Sequence, residues 1–315
     1  MHYFLWAPSH SDRRIRLTRE SAIRLGFNPT VVLCKATPEK PATLHARLSA
    51  LGDQEIVLCT DAFDVLCAEP PGTVREKFLS ARKEIFFGAE SLCFHQMPVA
   101  RRHFELTAGG APYPYLNSGM FIGFAGAIRE MLQTFSLWNW HELKRQFESD
   151  PENPGRFDDQ SLFGMYAALN PETVGLDKYA HIFLNLSRHY SSLSSDLAWV
   201  SGKVINRLTG SSPSFLHLTQ VRKYYPSYLK LAEQLGIEVR SSNIDIELVR
   251  QHLAGDPSVQ SPDSGGLDLK IERRIRRSPS FQIREIRDRA ISGYRSARFN
   301  FGKYRRRLFS STPQD

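Results

Sequence analysis

Glu55-Ile56-Val57-Leu58-Cys59-Thr60-Asp61-Ala62-Phe63-Asp64 is the stretch on which the fold of this chain turns. Ile56 to Cys59 is apolar without alternation, the pattern of a strand covered on both faces. Such a strand belongs in an α/β sheet, and this one runs straight into two carboxylates three residues apart. In open α/β sheets, ligands gather beyond the carboxyl ends of the strands. Two hard oxygen donors there can hold a divalent cation. Strand-end aspartates can equally cap the turn or helix that follows.

The surrounding sequence supports alternating strands and helices. Tyr3 to Trp6 reads as a first strand and Thr30 to Cys34 as a second, with helices at Arg13 to Leu25, closed by Gly26, and at Thr43 to Leu51, ended by Gly52. Glu84 to Ala89 is a fourth strand. Gly119 to Phe124 is a fifth, preceded by the turn-rich Pro112 to Ser118. Helices follow at Ile128 to Phe135 and Asp159 to Leu169, and Ser214 to His217 reads as a final short strand. The expected fold class is α/β, a Rossmann-like, mostly parallel sheet with flanking helices.

At 315 residues the chain can bury one large core with length left over. Its net charge of +8 is uneven: residues 270–315 carry 14 Lys/Arg against 4 Asp/Glu, and the rest is nearly neutral. The expected division is therefore a globular domain over 1–240, a small helix (Asp245 to Leu253) and a Pro/Ser/Gly-rich linker (Gly255 to Gly266) within 241–269, and a basic tail over 270–315. In the tail, Arg pairs alternate with Ile271, Ile275, Ile283, Tyr294 and Phe299. This suits a basic amphipathic helix on an anionic membrane or an acidic partner, a nucleic-acid contact, or a solvated extension. No apolar run is long enough to span a bilayer and the N-terminus lacks a basic leader, so the expected setting is cytoplasmic, with peripheral membrane contact through the tail. Cys34, Cys59, Cys67 and Cys93 form no Cys-x-x-Cys pair and read as reduced thiols. The sequence contains no GxxxxGK[ST], GxGxxG, HExxH or GxSxG, which removes P-loop kinases, Rossmann dehydrogenases, zincins and α/β-hydrolases.

A second carboxylate pair, Asp158-Asp159, opens a helix, where acidic residues also complement the dipole and cap free N–H groups. Asn117-Ser118-Gly119 can be a turn, and His217 a strand-end histidine. Taken in order, however, TDAFD (60–64), FFGAESLCF (86–94), YLNSGMFIGF (115–124), FDDQSLF (157–163), GLD (175–177), IFLNL (182–186), His217 and Lys223 form a pattern. It resembles the glycosyltransferase domain of the procollagen lysyl hydroxylases and, more distantly, glycogenin-like enzymes of the GT-A type.

The resemblance covers roughly residues 1 to 226 and implies a GT-A fold, a site and a reaction. Asp61 and Asp64 match the metal-binding acidic signature, completed by His217 around Mn2+ or another divalent cation. Phe63 matches an aromatic near the nucleotide base, and Lys223 a lysine on the diphosphate. Asn117 and Asp159, with Asp158 beside it, match residues that hold the transferred sugar at its reacting carbon and form the expected catalytic set. Ser118, Gln160, Glu90 and Phe94 join Asp61 in the expected nucleotide-sugar pocket, Glu90 and Phe94 on its sugar side. The implied reaction moves galactose or glucose from a UDP-sugar to an acceptor hydroxyl, with retention.

Three positions depart from the family pattern: the glycine-rich stretch after the histidine is Leu218-Thr219-Gln220-Val221-Arg222, Phe63 replaces Tyr, and Phe94 replaces Trp. A hydroxylase domain, with its iron and 2-oxoglutarate, is not expected in this chain. The first departure keeps open a nucleotide-sugar binder without turnover. The tail keeps open a scaffold for nucleic acid or membrane.

Overall fold

Apolar strands that must be covered on both faces need helices on both sides, and the computed structural model has that arrangement. It describes residues 1–8, 15–34, 40–151, 155–186, 197–219 and 221–239, without the side chains of 221–224 and 226. The expected small helix, linker and basic tail lie outside the described residues, as do the loop after Pro8 and Gln220.

The elements run β1 His2–Ala7, α1 Ile15–Arg24, β2 Pro29–Leu33, α2 Lys40–Leu48, β3 Ile56–Asp61, β4 Val65–Cys67, α3 Pro71–Ala81, β5 Ile85–Glu90, α4 Pro98–Leu106, β6 Tyr115–Phe124, α5 Ala125–Leu137, α6 Trp140–Glu148, α7 Asp159–Leu169, β7 Val174–Leu176, β8 Phe183–Asn185, β9 Leu197–Val200, β10 Lys203–Asn206, β11 Phe215–His217 and α8 Val221–Gln234. Among the described residues, nine strands form one sheet in the order β2-β1-β3-β6-β5-β8-β11-β4, with β7 also on β5, while β9 and β10 form a separate hairpin. The β1–β2, β1–β3, β5–β7, β5–β8 and β8–β11 pairs are parallel. The pairs of β6 with β3 and β5, and of β4 with β11, are antiparallel. The mostly parallel α/β sheet expected from the sequence is the sheet observed.

Side-chain alternation explains the two-sided burial. Phe4, Trp6, Val57, Cys59, Phe87 and Phe121 point to one face and pack under α2, α4, α5 and α7. Tyr3, Leu5, Ile56, Leu58, Met120 and Ile122 point to the other, under α1 and α3. A third cluster joins β8, β11 and α8 around Leu184, Leu216, Tyr225 and Tyr228. Cys34, Cys59 and Cys67 are buried within this body, Cys93 is half-buried, and none of the four is in a disulfide. No helix among the described residues is long and apolar enough to cross a membrane.

One expectation is corrected. Residues 115–118 are not a turn before the fifth strand but the first half of the ten-residue β6. Their turn-like composition has a physical reason. The β5–β6 register runs Phe87↔Phe121 and then jumps to Gly88↔Asn117, so Ser118, Gly119 and Met120 have no partner on β5. A bulge frees backbone N–H groups from the ladder and bends the strand, and glycine and small polar residues suit it. The sequence reading also missed β4, α3, α4, α6, β7, β8, the β9–β10 hairpin and α8; the strands among them are only three or four residues long.

Candidate active site

The strand directions bring the chemistry to one end of the sheet. β3, β5 and β11 finish there, at Asp61, Glu90 and His217, and antiparallel β6 and β4 begin there. α7 presents its N-terminus to the same place. A cavity of about 370 Å³ opens at this end, lined by Asp61, Asp64, Glu90, Phe94, Asn117, Ser118, Asp159, Gln160 and His217 among others. Nearly every site residue expected from the sequence therefore borders one space. Phe63 does not: its ring packs against the apolar cluster under α1 and α3. Lys223 falls in the first turn of α8, and its side chain is outside the described residues.

Asp61, Asp64 and His217 offer ligand atoms that all lie within 4.8 Å of one another. Among the described residues, Asp64 Oδ1 is buried without a hydrogen-bond partner. His217 Nε2 faces it from 3.5 Å, too far for a strong hydrogen bond. Two carboxylates and an imidazole are a donor set for a divalent cation, and a buried carboxylate oxygen without a hydrogen bond among the described residues suits a ligand of one. The residues present thus fit such an ion. Burial pulls the His217 imidazole toward its neutral form, but Asp64 outweighs it and the net shift is upward.

The second carboxylate pair divides its work. Asp158 is the N-cap of α7: its carboxylate accepts from the Gln160 N–H at 3.1 Å, and its own N–H reaches Ser161 Oγ at 3.2 Å, a capping box. Its other oxygen lies 3.2 Å from His95 Nδ1. Burial and then the like charge of Asp159 push the Asp158 carboxyl up to about 6. Asp159, 4% exposed, turns into the cavity.

Lys40, which the sequence reading missed, joins the two pairs. Its Nζ stands 2.8 Å from Asp61 Oδ1 and 3.1 Å from Asp159 Oδ2, over the Trp6 ring. Burial works against its charge, yet Asp159 and Asp61 hold it protonated, above the ordinary lysine range. Burial also raises Asp159, against the pull of Lys40. Pro38-Glu39-Lys40-Pro41 carries no motif, so only the fold could find this lysine.

The third group is a buried polar relay. Glu90, 3% exposed, accepts from Asn117 Nδ2 and Gln160 Nε2, each at 3.1 Å. Gln160 also donates to the Phe94 carbonyl at 2.9 Å and accepts from the Ser118 N–H at 3.0 Å. The N–H groups that the bulge releases from the ladder are met by side chains, as buried backbone donors must be.

A sequence model of the PLOD GT domain family matches residues 39–231. The human multifunctional procollagen lysine hydroxylase and glycosyltransferase LH3 is 29% identical over 156 residues, 47% of this chain and 18% of that protein. Human procollagen-lysine,2-oxoglutarate 5-dioxygenase 1 is 25% identical over 207 residues, 60% of this chain and 25% of that protein. The matched stretch is thus a quarter or less of either relative. Among solved structures, mouse xyloside xylosyltransferase 1 superposes with a TM-score of 0.39 at 16% identity, covering 70% of this chain and 97% of that one, too loosely to decide anything about this site. The family model spans β3, β5, β6, α7 and β11, the elements that build the cavity. This chain therefore belongs to the PLOD GT domain family.

Proposed function

We propose that the cavity transfers a hexose, galactose or glucose, from a UDP-sugar to an acceptor hydroxyl, with a divalent cation such as Mn2+ and with retention at the anomeric carbon. The observation that carries this reading is the single cavity shared by Asp61, Asp64 and His217 on one side and Asp159, Asn117 and Glu90 on the other. A bound cation would neutralise charge developing on the leaving diphosphate. Asp61, Asp64 and His217 would hold it. Lys40 keeps Asp61 and Asp159 in fixed positions and adds positive charge where a diphosphate leaves. Asp159 faces the sugar and stabilises positive charge at the anomeric carbon, an interaction made chiefly in the transition state. Glu90 and Phe94 border the sugar. Lys223 is assigned to the diphosphate and Phe63 to the base on the resemblance alone.

A panel of nucleotide sugars incubated with Mn2+, reading released nucleoside diphosphate, tests the proposal. UDP-galactose or UDP-glucose should be hydrolysed slowly without acceptor, and chelation should stop it. Tight UDP binding with no turnover of any donor would instead leave a nucleotide-sugar-binding protein, the reading that the altered stretch after His217 supports.

A further inference from the structure

We infer that Asn117 is a positioning residue for the metal site: its amide locks His217 in the Nδ1–H tautomer, so that Nε2 offers its lone pair beside Asp64. The inference rests on the metal reading above and adds to it what aims the imidazole.

The partners fix each end of the Asn117 amide. The oxygen receives the Gly119 N–H at 3.0 Å, and the nitrogen donates to Glu90 Oε1 at 3.1 Å. Rotating the amide by half a turn would set an N–H against an N–H and an oxygen against a carboxylate. His217 Nδ1 lies 3.1 Å from that same oxygen. An oxygen of this kind only accepts, so Nδ1 must carry the proton. In the neutral ring the lone pair then sits on Nε2, which points at Asp64 Oδ1. Ligating histidines are held in this way by an outer acceptor, which fixes both tautomer and ring orientation.

The bulge in β6 makes room for the lock. A Cβ on Gly119 would lie 2.3 Å from His217 Cε1 and 2.9 Å from Nδ1, so the imidazole rests directly on a glycine. Gln160 braces the far end by donating to Glu90 and taking the Ser118 N–H. The order runs His217 to Asn117, Asn117 to Glu90, and Gln160 to Glu90, with every donor facing an acceptor. The Asn-Ser-Gly run therefore serves the histidine a hundred residues away, besides bordering the sugar pocket.

Two readings on the full chain test this. Free Mn2+ is titrated by electron paramagnetic resonance without nucleotide, and the His217 ring is observed by 15N NMR in metal-free protein at alkaline pH, its signal identified by loss in His217→Gln. In the parent, Nδ1 should carry the proton. Asn117→Ala should weaken Mn2+ by roughly 10–100-fold and mix the tautomers. Asn117→Ala that folds and binds Mn2+ like the parent, while Asp64→Asn does not, overturns the lock and leaves the metal reading standing. An Nε2–H ring in the parent overturns it too. A parent that itself holds no Mn2+ sinks the metal reading, and the purpose of the lock with it.

Discussion

At the scale of single residues, the two carboxylate pairs carry different work although each is an acidic pair at an element end. Asp64 stands with Asp61 and His217 in one group of possible metal ligands, whereas Asp159 is paired with Lys40 and, on the proposed function, faces the sugar. Asp64→Asn should remove the Mn2+-dependent part of UDP binding, by at least about 10-fold, because a neutral amide is a poor ligand for a hard cation. Asp159→Asn should bind UDP with Mn2+ nearly as the parent does and turn over about 10²-fold more slowly. Calorimetry with and without Mn2+, beside a turnover assay, separates them. Parent-like behaviour of both variants in both assays would reduce the pairs to helix and turn caps.

Asp158 gives a pH signature. Its carboxyl stands near 6 in the folded chain against an ordinary 3.8, so between these values the native state holds a proton that the unfolded chain has released. The stability this contributes is complete below about 3.8 and is lost as pH rises through about 6. Asp158→Asn keeps the helix cap, since asparagine caps as well as aspartate. It should flatten the fall in Tm across that window. An unchanged slope would assign the pH dependence to another group.

At the scale of elements, β6 is the piece on which the site depends, because it binds β3 on one side, β5 on the other, and opens a bulge between. Gly123 shows how tightly it is held. A Cβ there would meet the Glu84 carbonyl at 2.8 Å and Ile85 Cα at 3.2 Å, both backbone. Gly123→Ala should destabilise the fold by about 1–3 kcal/mol, the usual scale of overpacking. Thermal or denaturant unfolding measures it, and a neutral result would mean that β5 and β6 can separate without loss. α7 repeats the theme: its first turn supplies Asp159 and Gln160 to the cavity while Leu162, Phe163 and Tyr166 anchor it in the core.

At the scale of the molecule, three apolar clusters among the described residues account for the body up to Val239. The charge break near residue 269 and the linker composition of Gly255 to Gly266 set the later residues apart in sequence. A chain ending near Gly255 is expected to fold and to hydrolyse the donor at the parent rate. Circular dichroism and the nucleotide-release assay check this, and loss of the soluble fold would make the tail part of the core.

Residue order alone determined a good deal. The unbroken apolar run into Asp61 and Asp64 called for a sheet covered on both faces, and α7 begins at Asp159 as its acidic opening implied, because these are local signals of period and capping. The family pattern, too, is written in linear order. What the chain could not display in one dimension is which groups meet. Lys40 belongs to no motif and acquires its place between Asp61 and Asp159 only when α2 packs against α5 and β2. Asn117-Ser118-Gly119 looks like a turn because a bulged strand needs the same small and polar residues. Its partner His217 lies a hundred positions away, and their pairing follows from β6 and β11 reaching the same end of the sheet. Local composition records what a segment can do by itself; ion pairs, bulges and hydrogen-bond relays are set by strand register, which exists only once the sheet has formed.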